Sequence, residues 1–258
     1  MLGALIGVCT LFGLAVGSFL NVVIYRVPRN ESIVSPRSKC PACDAPIKGR
    51  DNIPVVSWLL LKGRCRNCQS PISPRYVYVE LAGGGLFAGA AARLGFRWDL
   101  PAVLVLLAGL LALACIDFEH LLLPKKVVYL TLALVGVLLI LAAAETGEWH
   151  NLLVAGISSV AWFVVFFLMN LASPRILGFG DVRLALVLGL GLGWFGWRYV
   201  VLGFFAANLI GAIIGITLIA LNKIRRDQPI PYGVFLAVGT AFAIFAGPEL
   251  VSSITRIH

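Results

Sequence analysis

Charge is scarce in this 258-residue chain, and acid is scarcest: charged residues make up 13%, with 12 acids against 21 bases. Soluble domains carry about 25% charged residues, so an ordinary one is excluded. The chain is 60% hydrophobic, with a mean hydropathy of +0.94, and its apolar runs are long enough to cross a bilayer. Basic residues are missing before the first apolar run, and Arg26 follows that run instead. This does not fit a cleavable secretory signal, so the run is expected to be retained as a membrane helix. An internal repeat and a low-complexity tail are also missing. Without a repeat, a transporter built from duplicated halves loses its usual signature. Stacking aromatics are nearly absent from the basic loop 26–75, where Trp58 stands alone between Cys43 and Cys65. No nucleic-acid partner is therefore expected. Gly189, Gly191 and Gly193 lie in no strand–turn–helix unit, which excludes a phosphate loop. Like the pairs Gly85/Gly89 and Gly211/Gly215, they read as helix-packing positions.

Hydropathy and turn signals predict an all-α polytopic membrane protein. About eight transmembrane helices are expected, near 2–24, 77–95, 100–116, 127–144, 151–171, 182–196, 199–221 and 233–253. The sixth is short and Gly-rich. Three divisions follow: residues 1–25 as a first transmembrane helix, 26–75 as an extramembrane module, and 76–258 as a helical bundle. Basic residues concentrate on alternate connections. Ten lie in 26–75, and Lys125, Lys126, Arg175, Arg183, Lys223, Arg225 and Arg226 lie on the same side, so 17 of the 21 share one face. Arg93, Arg97, Arg198 and Arg256 remain opposite. The positive-inside rule puts the large loop in the cytosol and both termini outside. His150 and His258 fall on the outer side and look incidental.

The loop contains Cys40-Pro41-Ala42-Cys43 and Cys65-Arg66-Asn67-Cys68, with 21 residues between the pairs. Two such pairs suit a tetrahedral four-thiolate zinc site. A reducing cytosol disfavours the other reading, two disulfides. Four thiolates close the metal's coordination shell, so the metal is expected to be structural, holding together a module with little core of its own. Cys9 and Cys115 lie in apolar segments and read as packing residues.

Asp117 lies at the end of the third apolar segment and Asp181 at the start of the sixth, both on the basic face. Ionisable groups are rare at membrane depth and are functional by default unless the interface excuses them. Two carboxylates held close share a proton. One then serves as general base on a water while the other, protonated, polarises a carbonyl. Structural readings are equally simple at this stage: Asp181 as a helix N-cap, Asp117 as an interfacial charge. Glu119 and His120 are chemically competent but read as parts of the aqueous connection. Glu80 reads either as a substrate or cofactor contact or as an interfacial anchor.

Taken in order, these elements resemble the type IV prepilin peptidase family of GxGD aspartic proteases, whose members are prepilin leader peptidase/N-methyltransferases. The resemblance rests on Gly17-Ser18-Phe19-Leu20-Asn21 through Tyr25-Arg26, the CPAC and CRNC pairs, and Arg75-Tyr76 through Glu80-Leu81. It continues in Ile116-Asp117-Phe118-Glu119-His120 through Pro124, Gly178-Phe179-Gly180-Asp181, and Pro231-Tyr232-Gly233. It implies a bacterial cytoplasmic-membrane endopeptidase that removes short leaders from prepilins or pseudopilins, with Asp117 and Asp181 in the two catalytic positions. It also implies methylation of the new N-terminus with S-adenosylmethionine, at residues the sequence does not identify. Lys125, Arg183 and Val234 depart from the family's frequent residues. Three alternatives stay open: a peptidase without methyl transfer, a noncatalytic scaffold displaying the zinc module, and an ion or proton transporter.

Overall fold

The computed structural model describes residues 1–35, 38–173, 177–223, 225 and 230–255. Arg37, Arg175, Arg226, Arg256 and His258, on which parts of the charge reading fall, lie outside these. The described residues form helices and two isolated bridges, with no strand among them. The chain divides into two compact units, Met1–Phe96 and Arg97–His258.

The first unit holds α1 (Leu2–Arg26), the short α2 (Val56–Leu60) and α3 (Arg75–Leu94). α1 and α3 pack backbone to backbone, because glycine leaves no side chain between them. A Cβ on Gly17 would lie 2.7 Å from the Glu80 Cα, and one on Gly83 would lie 2.6 Å from the Gly13 carbonyl oxygen. Asn21 closes the seam, donating to the carbonyls of Gly17 (3.2 Å) and Tyr76 (3.1 Å). Gly85 meets nothing within 4 Å, while Gly84 beside it lies against the Leu14 side chain, so the seam runs through Gly13, Gly17, Gly83 and Gly84.

The second unit holds α4 (Leu100–His120), α5 (Lys125–Thr146), α6 (Trp149–Ala172), α7 (Phe179–Gly193), α8 (Trp197–Ala220) and α9 (Tyr232–Thr255). Pro101 suits the first turn of α4, where no N–H is needed, and the helix ends on Leu121 in a left-handed cap whose N–H donates to the Asp117 carbonyl, 2.8 Å. α4 and α7 are the buried helices. α7 packs chiefly on α6, where Gly189 and Gly193 press on Ser158, Ser159 and Ala155, and the Ser159 hydroxyl donates to the Leu186 carbonyl at 2.8 Å. Gly211 meets Phe235, in keeping with its expected packing role.

Among the described residues each of the eight predicted segments overlaps a helix, although eight spans are not thereby shown. Among the described residues five are long and apolar enough to cross a membrane: α1, α4, α5, α6 and α8. α7 has 15 residues, about 22 Å of rise, which is short of the roughly 30 Å hydrocarbon core. The chain is thus a multi-pass membrane protein, and α7 runs inside it, walled by its neighbours and with little surface left for lipid.

Because the Gly83 contact is with backbone, no side chain can swing aside. Gly83→Val should force α1 and α3 apart and destabilise the first unit by about 1–3 kcal/mol. The thermal midpoint in detergent would fall, and an unchanged midpoint would show that the seam is not tight.

Candidate active site

Asp117 and Asp181 reach one place from opposite ends of their helices. Asp117 is in the last turn of α4 and Asp181 in the first turn of α7, at 6% and 9% exposure. The charge of Asp117 acts directly on Asp181. Leu123 joins them: a Cβ on Gly180 would lie 3.0 Å from the Leu123 Cβ, and one on Gly233 would lie 3.1 Å from the Leu123 Cδ2. The Gly233 position is also only 2.9 Å from Asp117 Oδ2, so no larger residue fits between the start of α9 and this carboxylate. The N–H groups of Gly233 and Val234 face the Asp117 carboxylate, although Oδ2 is buried without a hydrogen-bond partner. A proline in place of Val234 would have no N–H to offer, so this departure from the frequent residue adds a donor. The Asp181 carboxylate is faced by the N–H groups of Gly178 and of its own residue, at the positive end of α7. Tyr232 stacks on Phe166 with ring centroids 6.4 Å apart, and its hydroxyl donates to Asn208 Oδ1 at 3.3 Å, within the field of Asp181.

Glu119 and His120 are exposed, with 3.9 Å between His120 Nε2 and Glu119 Oε2. They stand outside the buried pair. Leu123 was given no role from the sequence, since an apolar spacer in an apolar chain carries no signal, and Tyr232 entered only as part of the Pro231-Tyr232-Gly233 element.

The four cysteines of the first unit converge as expected. Their sulfur atoms lie within 4.8 Å of one another, and none is bonded to another. Cys40 and Cys68 Sγ are 3.8 Å apart, the edge of a tetrahedron with metal–sulfur bonds of about 2.3 Å. The donor set fits a metal. Ser70 Oγ approaches Cys68 Sγ (3.1 Å) and Cys40 Sγ (3.6 Å), and Asn67 Nδ2 donates to Cys43 Sγ at 3.6 Å. The Ser70 hydroxyl, with the Ala42 backbone, pulls the Cys40 thiol down to about 6, so it is ready to bind as thiolate.

The two knuckles share one local pattern. Cys40–Ile47 and Cys65–Ile72 both read C-x-x-C-x-x-Pro-Ile. Cys40 donates to Ala45 (2.9 Å) as Cys65 does to Ser70 (2.8 Å), and Asp44 and Gln69 take matching positive φ of 55° and 59°. Eight residues with four matches are too short for repeat-scale periodicity to reveal.

Glu80 has a structural use. Its carboxylate, 7% exposed, accepts the Val55 N–H at 2.7 Å, and Val55 sits at φ 62°, an unusual backbone for a β-branched residue. The bond ties the turn before α2 to α3.

With this geometry in hand, the chain compares directly with known proteins. Residues 11–94 match the Bacterial Peptidase A24 N-terminal domain, and residues 104–216 match the Type IV leader peptidase family. A protein of Stutzerimonas stutzeri named prepilin leader peptidase/N-methyltransferase is 34% identical over 269 residues, covering 93% of this chain and 90% of that protein. Proteins of the same name from Aeromonas hydrophila and Pseudomonas aeruginosa are each 35% identical, covering 95% and 94% of this chain and 91% of each relative. The chain belongs to the type IV leader peptidase family. The two matches of the family fall one on each unit, the first taking in the cysteine module and α3, the second running from α4 into α8. No solved structure matches the chain significantly.

Val55→Gly should relieve the backbone strain and stabilise the first unit by about 1 kcal/mol, which raises its unfolding midpoint. Glu80→Gln weakens the acceptor and should lower it by a similar amount. Equal midpoints for wild type and both variants in calorimetry would show that this turn stores no strain.

Proposed function

We propose that this chain is a membrane aspartic endopeptidase that removes the leader peptides of type IV prepilins or pseudopilins and N-methylates the exposed amine. The observation that carries the peptidase reading is the meeting of two buried carboxylates, from the ends of α4 and α7, with one oxygen of Asp117 left unpartnered. Two such groups held together share one proton. The ionised member takes a proton from water, whose oxygen attacks the scissile carbonyl carbon. The protonated member donates to the carbonyl oxygen, and the tetrahedral intermediate collapses as the departing amine regains a proton. Neither a side-chain nucleophile nor a metal is needed at this centre.

In the topology we assign, 17 of the 21 basic residues share the cytosolic face and both termini are outside. The acid pair then opens to the cytosol, where a leader ahead of a hydrophobic stalk would be presented. Cys40, Cys43, Cys65 and Cys68 hold zinc as a structural ion, consistent with sulfur spacing and a closed donor set.

The methyltransferase reading rests on the names of the relatives and on the cysteine module that the resemblance links to it. S-adenosylmethionine would supply an electrophilic methyl group to the new amine. One cavity is walled by the apolar face of α6 and another lies at the ends of α4 and α7 opposite the aspartates. Neither places a donor beside an amine released at the acid pair.

Asp117→Asn and Asp181→Asn should each lower leader cleavage in membranes by about 10²–10⁴-fold while leaving the unfolding midpoint near that of wild type. Cleavage by both variants at the wild-type rate would overturn the mechanism. Labelled S-adenosylmethionine added to the same assay should mark the cleaved N-terminus, and an unlabelled product would leave a peptidase alone. Chelation of zinc should expose the segment 38–72 to proteolysis, because a module this small has little core to replace the ion. Unchanged resistance after metal loss, read by elemental analysis, would count against a structural ion.

A further inference from the structure

A polar cavity occupies the ends of α4, α6 and α7 opposite the aspartates, and the peptidase chemistry leaves it unused. It measures about 430 Å³ and is walled in part by Arg97, Glu148, His150, Asn151, Trp194 and Trp197. Its charges are fixed by bonding. Asp99, 2% exposed, accepts from Arg97 Nε (3.0 Å), Arg97 Nη2 (2.6 Å) and Trp194 Nε1 (2.8 Å). Those bonds anchor the guanidinium through Nε and Nη2 and leave Nη1 outside the pair with Asp99. Glu148 Oε2 accepts from Asn151 Nδ2 at 2.9 Å, and the Glu148 charge acts on Arg97. One cavity therefore presents the Arg97 guanidinium, backed by Asp99 on its far edge, beside the Glu148 carboxylate, an arrangement that can meet both charges of a zwitterion.

An apolar groove of about 820 Å³ runs along α6 from Trp149 to Ala161. At 100° per residue, Ile157 and Ala161 lie beneath His150, so the groove and the polar cavity share an edge. Gly156 leaves open space in its floor. Twelve residues of rise make the groove about 18 Å long, close to the roughly 15 Å depth of one hydrocarbon leaflet. Trp98, Trp149 and Trp197, exposed at 61%, 55% and 62%, set the headgroup level around the cavity.

We infer that this end of the molecule binds a zwitterionic phospholipid with a primary-amine headgroup. Its phosphate sits against Arg97 and His150, its ammonium against Glu148, and an acyl chain lies along the α6 groove. Any lipid covers an apolar helix face; the fixed pair of opposite charges is what selects this headgroup. The inference does not depend on the peptidase reading.

The test uses the full chain reconstituted in vesicles of equal phosphatidylethanolamine and phosphatidylglycerol, extracted gently, with retained lipid identified by native mass spectrometry. Wild type should retain the ethanolamine lipid in preference by about tenfold, the effect of one charge-assisted contact. Glu148→Lys replaces the acid that would face the ammonium with a cation, while Asp99 stays paired with Arg97, and should reverse the preference toward the glycerol lipid. Gly156→Leu fills the groove and should reduce retention of both lipids without changing their ratio. Equal retention of the two lipids by wild type overturns the inference, as does an unchanged ratio in a folded Glu148→Lys protein.

Discussion

Lipid gives apolar helices no hydrophobic reason to meet, and this constraint shapes the rest of the molecule. Association must come from close backbone contact and from the few polar groups present. In the second unit Gly189 and Gly193 lay α7 on the backbone and serines of α6, and Gly203 and Gly239 do the same for α8 and α9. In the first unit Gly13, Gly17 and Gly83 seat α1 on α3. With α7 held on several sides, a helix shorter than the hydrocarbon core becomes tolerable. Its N-terminus, bearing Asp181, can then stop beside Asp117 instead of continuing to the interface.

The acids are held by backbone, which suits a site that must keep charge in an apolar setting. The starts of α7 and α9 each aim N–H groups at a carboxylate, and glycine at 180 and 233 lets Leu123 and the helices close in. Arg183, two residues past Asp181, lies over the Phe179 ring. Helix ends supply partial positive charge without a titrating partner.

Much of this was legible in the sequence because the signals were local. Long apolar runs fixed where the helices lie, cysteine spacing fixed the metal-type cluster, and charge placed Asp117 and Asp181 at the same edge. What could not be read depends on contacts between residues far apart in the chain. The span status of α7 depends on its walls. Glu80 was correctly marked as unusual, but its use by Val55 required the fold of the turn. Asp99 and Trp194, 95 positions apart, carry no mutual signal. The likeness of the two knuckles rests on four positions, two of them the cysteines already assigned to metal.

The Asp99–Trp194 bond has a mechanical meaning for the second unit. It joins the start of α4 to the residue just past α7, and the opposite ends of the same two helices bear Asp117 and Asp181. The two helices are thus the arms of a calliper, pinned at a buried joint and tipped with carboxylates. From Asp99 to Asp117 is 18 residues, an arm of about 27 Å. A rotation of only a few degrees at the joint moves the tips by an ångström or more, the margin that separates a shared proton from two independent acids.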